Sequence, residues 1–495
     1  MIFLGVDCGT QSTKTVALDG DTGKIIASAA EAYDLIPGLP PGHMEQHPST
    51  WVDAMEKTVA RVLDELGPRR GEVRGMGVSG QQHGFVPLDK DAQVIRPAKL
   101  WNDTSTAAEC DLFREHFGGA SYFIERTGLD MLPGYTAPKI LWLKRHEPEN
   151  FAKLATALLP HDHLNFHLTG NFRMEYGDAS GTALLNIRSG EWERDILEFI
   201  DASLPSKMPP VRSSREPAGT LLPKLASRWN LPREVVVSAG GGDNMMGAIG
   251  TANIAPGRVA ASLGTSGTIY AYSEKPLIDT KGEIAGFRDS TDAWLPLVCT
   301  MNVTVATEAA RKLFGLSHAQ FDAAVESAPA GSGGLLFLPY LEGERTPNLP
   351  GASGVFHGLT TRTMQPAFIS RAVMEGATLG LAYGLERMRE LGISPSEIRL
   401  IGGGSHSAAW RQICADVFRC PVVTLAEAEG AAFGAAIQAL AAVQTGAPVN
   451  DWSSRLVQTN PREAAHPDEK ISSRYAGALQ KHTSLMRALA GNHFL

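Results

Sequence analysis

The feature that most restricts the fold of this chain is an internal repeat. A first apolar strand ends in Gly9-Thr10-Gln11-Ser12-Thr13, and another, Arg258–Leu263, ends in Gly264-Thr265-Ser266-Gly267-Thr268, which begins 255 residues later. A further apolar strand and a glycine-containing turn follow each copy. An offset of about half the chain predicts two related strand–turn–strand modules, each beginning one half. Chance similarity between two Gly/Thr-rich turns is the alternative.

Strands that run into glycine-rich turns recur between these modules. Gly75–Val78 leads into Ser79–Gly84, and Ile398–Ile401 leads into Gly402-Gly403-Gly404-Ser405. The order strand, glycine turn, helix is typical of an α/β sheet, in which ligands lie at the carboxyl ends of the strands. The pattern therefore predicts an α/β protein with sites at such turns.

The same alternation predicts the domain organisation. A chain of 495 residues exceeds one hydrophobic core, and we expect a boundary near Asn253–Gly257. The sequence from Val449 is polar and interrupted by prolines, and a helix is expected from about Glu469 to Leu489. We therefore predict an N-terminal domain over 1–253, a C-terminal domain over 254–448 and a mostly helical extension over 449–495.

Charge and cysteine content exclude several classes of protein. With 53 acidic and 45 basic residues the net charge is −8, without the basic excess that nucleic acid binding needs. The five cysteines are scattered and contain no CxxC pair, which indicates reduced thiols in a cytoplasmic protein. The apolar stretch Ala431–Val443 is too short for a bilayer span and predicts a buried helix, and no targeting segment is visible.

The two repeated turns are candidate phosphate sites. Gly-Thr and Gly-Thr-Ser turns offer backbone N–H groups and hydroxyls without bulk, and Lys14 would add positive charge. Asp7, at the end of the first strand, would hold Mg²⁺ through water. The alternative for either turn alone is an ordinary hairpin.

Polar residues at the other turns are candidates for acid–base chemistry and sugar binding. Asp243 follows three glycines and precedes an expected helix over Asn244–Thr251; it is either a helix N-cap or a carboxylate beside a ligand, and N-capping does not need three glycines. Gln81-Gln82-His83 offers partners for sugar hydroxyls, with a structural histidine as the alternative. Leu100-Trp101-Asn102-Asp103 combines an aromatic face with polar groups, and a buried tryptophan is the alternative there.

Taken together, these motifs resemble the FGGY carbohydrate kinases, and the resemblance covers about Ile2 to Thr445. The segment from Gly134 to His146 fits the first family signature, and the segment from Gly354 to Glu375 fits the second except at Phe368, where a polar residue is usual. Within the family the turns are most similar to those of kinases that phosphorylate D-xylulose. Gln82, where many bacterial members have Met, is closer to the eukaryotic type.

The resemblance implies two actin-like (ribonuclease H-like) domains with a duplicated core, and ATP and a sugar in the cleft between them. It implies that Asp243 is the general base that takes the proton of the ketose C5 hydroxyl, while Asp7 serves Mg²⁺. The sugar-binding residues would be Gln82, His83, Trp101, Asp103 and Asn244. The nucleotide-binding residues would be Thr10, Gln11, Ser12, Thr13, Lys14, Gly264, Thr265, Ser266, Gly403 and Gly404.

Two alternatives follow from the same duplicated core. Actin and heat-shock chaperone ATPases share it, but they have no reason to carry Gln-Gln-His and Trp-Asn-Asp beside a Gly-Gly-Asp-Asn base. The other alternative is a different acceptor within the family, such as D-ribulose or glycerol. We expect ATP and a small sugar as the partners, no nucleic acid or membrane partner, and a homodimer from base rates.

Overall fold

The computed structural model describes residues 1–426 and 430–495, which form two compact units. The first unit contains Met1–Ile254, Ser273–Leu295 and residues 430–457. The second contains Ala255–Tyr272, residues 296–426 and Gln458–Leu495. Each unit combines helices with a β-sheet that contains both parallel and antiparallel strands, so the predicted α/β class is confirmed.

Among the strands, the one that ends at Cys8 and the one that ends at Leu263 lead into the two glycine turns of the repeat. In chain order the strands are β1 Ile2–Cys8, β2 Ser12–Asp19, β3 Ile25–Ala32, β4 Glu45–Gln46, β5 Val73–Gly80, β6 Val86–Leu88, β7 Ala98–Lys99, β8 Thr156–Leu158, β9 Met174–Glu175, β10 Val211–Arg212, β11 Gly219–Thr220, β12 Val236–Val237, β13 Gly241–Gly242, β14 Arg258–Leu263, β15 Gly267–Ala271, β16 Ala285–Arg288, β17 Trp294–Thr300, β18 Leu336–Leu338, β19 Val355–His357, β20 Glu397–Ile401, β21 Val422–Leu425 and β22 Thr459–Ala465.

The helices cover the sheets or follow the glycine turns. They are α1 Pro48–Leu66, α2 Ala107–Phe117, α3 Ala120–Thr127, α4 Thr136–His146, α5 Pro148–Lys153, α6 Pro160–Thr169, α7 Tyr176–Ser180, α8 Arg194–Ile200, α9 Pro223–Trp229, α10 Asp243–Gly250, α11 Thr304–Leu313, α12 His318–Ser327, α13 Pro366–Glu390, α14 Ala408–Phe418, α15 Gly430–Val443, α16 Val449–Leu456 and α17 Glu469–Gly491. Among the residues that the structure describes, no helix is both long enough and apolar enough to cross a bilayer.

The predicted repeat is a repeat of sheet topology. In the first unit the strand order is β12-β5-β1-β2-β3, with β1 antiparallel to β2 and parallel to β5. In the second unit the order is β21-β20-β14-β15-β17, with β14 antiparallel to β15 and parallel to β20. Each glycine turn therefore joins the corresponding pair of strands, β1 to β2 and β14 to β15. The duplicated core is confirmed.

Small residues let a helix lie directly on the first sheet. The helix α15 contacts β1 and β5, and a Cβ on Gly5 or Gly77 would overlap the backbone of this helix. The helix α10 packs on α15 at Gly250 and Gly434, where an added Cβ would also overlap backbone atoms. The expected buried helix at Ala431–Val443 is confirmed, because its Ala and Gly residues form this contact.

The end of the chain is more regular than the sequence analysis predicted. Residues 449–456 form α16, and residues 459–465 form β22, which pairs antiparallel with β21 in the second unit. Pro461 fits there because β22 lies at the end of the strand order, and an edge strand tolerates a residue without an N–H. The long C-terminal helix α17 begins after Asp468, whose side chain accepts from the Ile471 N–H.

The predicted linear domain division stays a prediction, and the compact units are distributed along the chain differently. Residues 430–457 belong to the first unit although they follow most of the second. The reason is the contact of α15 with β1 and β5, since only small residues can approach a sheet so closely.

Candidate active site

Asp243 is the first residue of α10, directly after the glycine run. Gly241 and Gly242 form β13, which pairs in parallel with Ser79 and Gly80 at the end of β5. A Cβ on Gly242 would lie 2.6 Å from Cγ of Gln82, so a larger residue would separate the two turns. The glycines therefore bring Asp243 beside the Gln82 turn, and the close approach of a ligand that we expected there stays a prediction.

The environment of Asp243 favours its protonated form. Burial, first, and the negative charge of Asp7, second, together raise the pKa of Asp243 to about 7. Hydrogen bonds from the Asn244 backbone N–H, at 2.7 Å, and from Asn244 Nδ2, at 2.9 Å, oppose this shift in part. A carboxylate with a pKa near neutrality can both accept and release a proton.

Gln82 and Asn244 form one polar pair beside Asp243. Asn244 Nδ2 donates to Gln82 Oε1 at 2.8 Å, and Gln82 Nε2 lies 3.2 Å from the Met245 sulfur. Gln82 is buried, while Asn244 is half-buried. A thioether is a weak acceptor, so the Gln82 amide keeps donor capacity for a stronger partner.

His83 is held in an uncommon backbone conformation with a positive φ of 64°. Its imidazole stacks on Phe287, with ring centroids 5.5 Å apart, and meets the edge of Tyr135 at 5.1 Å. A Cβ on Gly181 would overlap the imidazole, so this side also needs glycine. The ring orientation is therefore fixed by packing on several sides.

The Thr10 hydroxyl, in the first glycine turn, connects Trp101 to Gln81. Trp101 Nε1 donates to Thr10 Oγ1 at 3.0 Å, and this hydroxyl donates to Gln81 Oε1 at 3.0 Å. Gln81 Nε2 in turn donates to Gln46 Oε1 at 3.1 Å. The Thr10 hydroxyl is therefore engaged within the protein, and its predicted part in nucleotide binding stays a prediction.

Asp103 lies in a different setting from the one expected for a sugar contact. It is fully buried; Oδ1 accepts from the Ser105 backbone N–H and hydroxyl, and Oδ2 accepts from Met44 N and Lys99 Nζ. These donors lower the pKa of Asp103 against the effect of burial. Both carboxylate oxygens are therefore engaged within the protein, and the predicted part of Asp103 in sugar binding stays a prediction.

His43, Glu45 and Asp103 have ligand atoms close enough for a metal site. Lys99 Nζ lies 3.2 Å from His43 Nδ1, 3.2 Å from Glu45 Oε1 and 3.1 Å from Asp103 Oδ2. The buried ammonium therefore supplies the positive charge at the centre of this group, and we assign no metal to it.

Asp7 lies at the carboxyl end of β1, opposite Ser79 of β5. The Ser79 hydroxyl donates to Asp7 Oδ1 at 2.8 Å. The negative charge of Asp7 also contributes to the raised pKa of Asp243, so the two carboxyl groups interact electrostatically. The Asp7 carboxylate, with the Ser79 hydroxyl beside it, offers oxygen ligands of the kind that Mg²⁺ prefers.

The turn between β1 and β2 divides its side chains between two directions. Gln11 is exposed, and Ser12 and Lys14 are partly exposed. Thr13 is fully buried, and its hydroxyl lies 3.1 Å from the Tyr33 hydroxyl, because alternate residues of a strand point to opposite faces. The Thr13 hydroxyl is therefore engaged within the protein, and its predicted part in nucleotide binding stays a prediction.

In the second unit, the two segments predicted to bind the nucleotide, Gly264–Ser266 and Gly403-Gly404, follow neighbouring strands. Ser262 of β14 pairs with Ile401 of β20, so the turns that follow these strands emerge together. Gly402, with φ of 82°, packs against the backbone of Leu263 and Gly264, where a Cβ would come within 2.9 Å. Thr265 is exposed and Ser266 is partly exposed.

Gly403 and Gly404 differ in their surroundings. Gly403 is exposed, and a Cβ there would meet no described atom within 4 Å. Gly404 is buried, and a Cβ there would lie 2.8 Å from the Leu263 side chain and 3.0 Å from Trp410. Gly403 thus offers open backbone, whereas Gly404 is required first by packing.

Charged residues that the sequence patterns did not indicate are buried close to the turns of the first unit. His161 Nδ1 lies 2.6 Å from Asp178 Oδ2, and a Cβ on Gly80 would touch this histidine. Lys139, also fully buried, donates to the His83 carbonyl oxygen at 2.8 Å. Lys139 falls within the first signature, but its contact joins residues 56 positions apart, so periodicity gives no signal for it.

Comparison with known proteins identifies the family. Residues 2–250 match the N-terminal domain of the FGGY family of carbohydrate kinases, and residues 259–443 match its C-terminal domain. A xylulose kinase of Haemophilus influenzae is 38% identical over 494 residues, which is 99% of this chain and 100% of that protein.

Solved structures agree with this result. A xylulose kinase from Rhodospirillum rubrum superimposes with a TM-score of 0.93 at 26% identity, over 100% of both chains. A gluconate kinase from Lactobacillus acidophilus superimposes with a TM-score of 0.92 at 25% identity, over 99% of this chain and 98% of that one. The chain belongs to the FGGY family of carbohydrate kinases.

Proposed function

We propose that the protein transfers the γ-phosphoryl group of ATP to the C5 hydroxyl of D-xylulose, giving D-xylulose 5-phosphate and ADP. The proposal depends on Asp243, which has a carboxyl group with a pKa of about 7 and lies at the start of a helix, beside the hydrogen-bonded amides of Gln82 and Asn244. General-base catalysis is most effective when the pKa lies near the working pH. D-Xylulose is favoured as the acceptor because the similar curated proteins are xylulose kinases.

In the proposed mechanism Asp243 accepts the proton of the C5 hydroxyl while the oxygen attacks the γ-phosphorus. The bond from this phosphorus to the bridging oxygen of ADP breaks, and the leaving oxygen keeps the electron pair. The Gln82 amide, His83 and Asn244 would hold the sugar hydroxyls, and the face of Trp101 would pack against the sugar. Asp103 would help to hold the turn that carries Trp101 in place, through its hydrogen bonds with Ser105, Met44 and Lys99.

Asp7 would hold Mg²⁺ through water, in keeping with the preference of Mg²⁺ for few carboxylates. When bound, Mg²⁺ supplies positive charge to the phosphate oxygens. Ser79 orients the Asp7 carboxylate through its 2.8 Å hydrogen bond. The two carboxylates Asp7 and Asp243 thus have separate roles, one toward the cation and one toward the proton.

Nucleotide binding is proposed for the exposed parts of both glycine turns. In the first unit Gln11, Ser12 and Lys14 would contact phosphate, with Thr10 and Thr13 contributing backbone groups only. In the second unit the segment Gly264–Ser266 would contact phosphate, and the open backbone of Gly403 would contact adenine. Gly404 would support this segment by packing. A homodimer and a cytoplasmic location stay predictions.

The acceptor is tested by measuring kcat/KM over a panel of D-xylulose, D-ribulose, glycerol and D-gluconate with ATP and Mg²⁺. We expect D-xylulose to be the best substrate and D-ribulose, its C3 epimer, the next, because a misplaced hydroxyl leaves buried polar groups unpaired. If glycerol or gluconate outruns both pentuloses, the proposed acceptor is wrong while the family assignment stands.

A further inference from the structure

Lys139 is a fully buried cation in the first turn of α4. Its Nζ donates to two backbone carbonyl oxygens, that of His83 at 2.8 Å and that of Gly134 at 2.6 Å. Burial lowers the pKa of Lys139 to about 7. Removing an ammonium group from water is costly unless its hydrogen bonds are good, so these two contacts are the ones that hold it.

The first contact fixes the backbone at His83. A positive φ is unfavourable for a residue with a Cβ, and such conformations persist when the surroundings over-determine them. The His83 carbonyl oxygen also accepts from the Thr136 hydroxyl at 3.1 Å. Two donors from the start of one helix therefore hold the same oxygen.

The same helix start also contacts the imidazole. Tyr135 precedes α4 and places its ring edge-on to the His83 ring, at 5.1 Å between centroids. Because Lys139 and Thr136 hold the backbone while Tyr135 and Phe287 hold the ring, the direction of the imidazole is set by this cluster.

The second contact connects the His83 turn to the Trp101 turn. A Cβ on Gly134 would lie 2.8 Å from the Trp101 carbonyl oxygen, so the two backbones are packed together. Since Lys139 bonds both the Gly134 and His83 carbonyls, one ammonium group joins the two segments. The His83 and Trp101 turns are both proposed above to contact the sugar.

We propose that Lys139 is a positioning residue that determines the KM for the sugar, by holding the His83 turn and the Gly134–Trp101 contact in one arrangement. The proposal rests on the proposed function, because it takes His83 as a sugar contact. Lys139 itself does not touch substrate in this scheme, and ATP binding is not expected to depend on it.

The test is the variant Lys139→Met, which keeps much of the aliphatic chain and removes the donors. We expect the KM for D-xylulose to rise by roughly 10- to 100-fold, the range for losing hydrogen bonds from a charged group, while the KM for ATP changes by less than about twofold. Lys144→Met is the matched control: Lys144 lies on the same helix and donates to the Ile200 carbonyl, away from His83. It should leave both KM values unchanged.

Combining this variant with His83→Ala separates positioning from a general structural effect. If Lys139 acts partly through His83, Lys139→Met should raise the sugar KM less in the His83→Ala background than in the wild-type background, because only the Gly134–Trp101 contact is then left to be lost. An equal rise in both backgrounds, or no rise in the wild-type background, overturns the positioning role. If His83→Ala alone leaves the sugar KM unchanged, the proposed sugar contact itself is wrong.

A milder variant covers the case in which Lys139→Met does not fold. Thr136→Val removes the second donor to the His83 oxygen and keeps the shape of the side chain. We expect a rise in the sugar KM of roughly 2- to 10-fold, as for a neutral hydrogen bond, with thermal unfolding measured alongside. An unchanged sugar KM in a folded Thr136→Val variant overturns the proposal.

Discussion

The charged form of the Asp243 carboxyl is the one that could accept a proton in catalysis, but it is also the form that burial makes unfavourable for folding. Its pKa is raised to about 7 by burial and by Asp7, whereas a carboxyl in the unfolded chain titrates near 4. The folded state therefore binds a proton more tightly than the unfolded state, so the free energy of unfolding falls as the pH rises from about 4 through 7. Above pH 7 the protein carries the full cost of the charged form.

We predict that Asp243→Asn lowers kcat by at least ~10²–10⁴, because the amide keeps the shape but cannot take a proton. It should also raise the melting temperature at pH 8 without Mg²⁺, with the difference shrinking toward pH 4. In the wild type, kcat/KM should increase with pH through about 7. Calorimetric titration should show ATP and sugar binding largely retained.

The matched control is Asp111→Asn, since the Asp111 side chain is 79% exposed on α2. This variant should change neither kcat nor the pH dependence of unfolding. Retention of more than about a tenth of the wild-type kcat in Asp243→Asn would remove Asp243 from the role of general base.

At the scale of elements, the position of Asp243 depends on how closely α10 approaches α15. Gly250 and Gly434 form this contact, and an added Cβ at either position would overlap the backbone of the other helix. Since Asp243 is the first residue of α10, a shift of this helix would move the carboxylate.

We predict that Gly434→Ala destabilises the protein by about 1–3 kcal/mol, as overpacking of a filled core does, and lowers kcat. Gly477→Ala is the control: Gly477 also lies within a helix, α17, but a Cβ there would meet no described atom within 4 Å. It should be neutral or stabilising by up to about 1 kcal/mol, since alanine favours a helix. Equal unfolding midpoints in urea for the two variants would contradict this account.

At the scale of the whole molecule, the first unit is completed late in the chain. Its sheet begins at Ile2, but α15, which covers β1 and β5, ends at Val443. A chain without α15 would leave a strongly apolar sheet face in water.

We predict that a fragment of residues 1–426 does not fold cooperatively and binds a hydrophobic dye. The control is a fragment of residues 1–491, which lacks only the residues after α17 and should unfold like the full chain. A sharp thermal transition of the 1–426 fragment, without dye binding, would show that α15 is not needed to close the first sheet.

Local pattern in the sequence was enough for the elements and for the family. Strand β14 and helix α10 lie almost where apolar runs and glycine turns predicted a strand and a helix. The 255-residue repeat corresponds to the repeated sheet order. This succeeds because strand alternation, glycine turns and helix starts depend on residues that are neighbours in the chain. The roles of the site residues remain proposals of the same origin.

Tertiary structure decided which polar groups face inward and what covers the sheets. Thr13 and Asp103 became buried and bonded within the protein, β22 joined the second unit's sheet, and α15 joined the first unit. The buried ammonium of Lys139 meets a carbonyl 56 residues away. Such contacts form between residues distant in the chain, where the cost of burying charge is balanced only by the particular partner that packing provides.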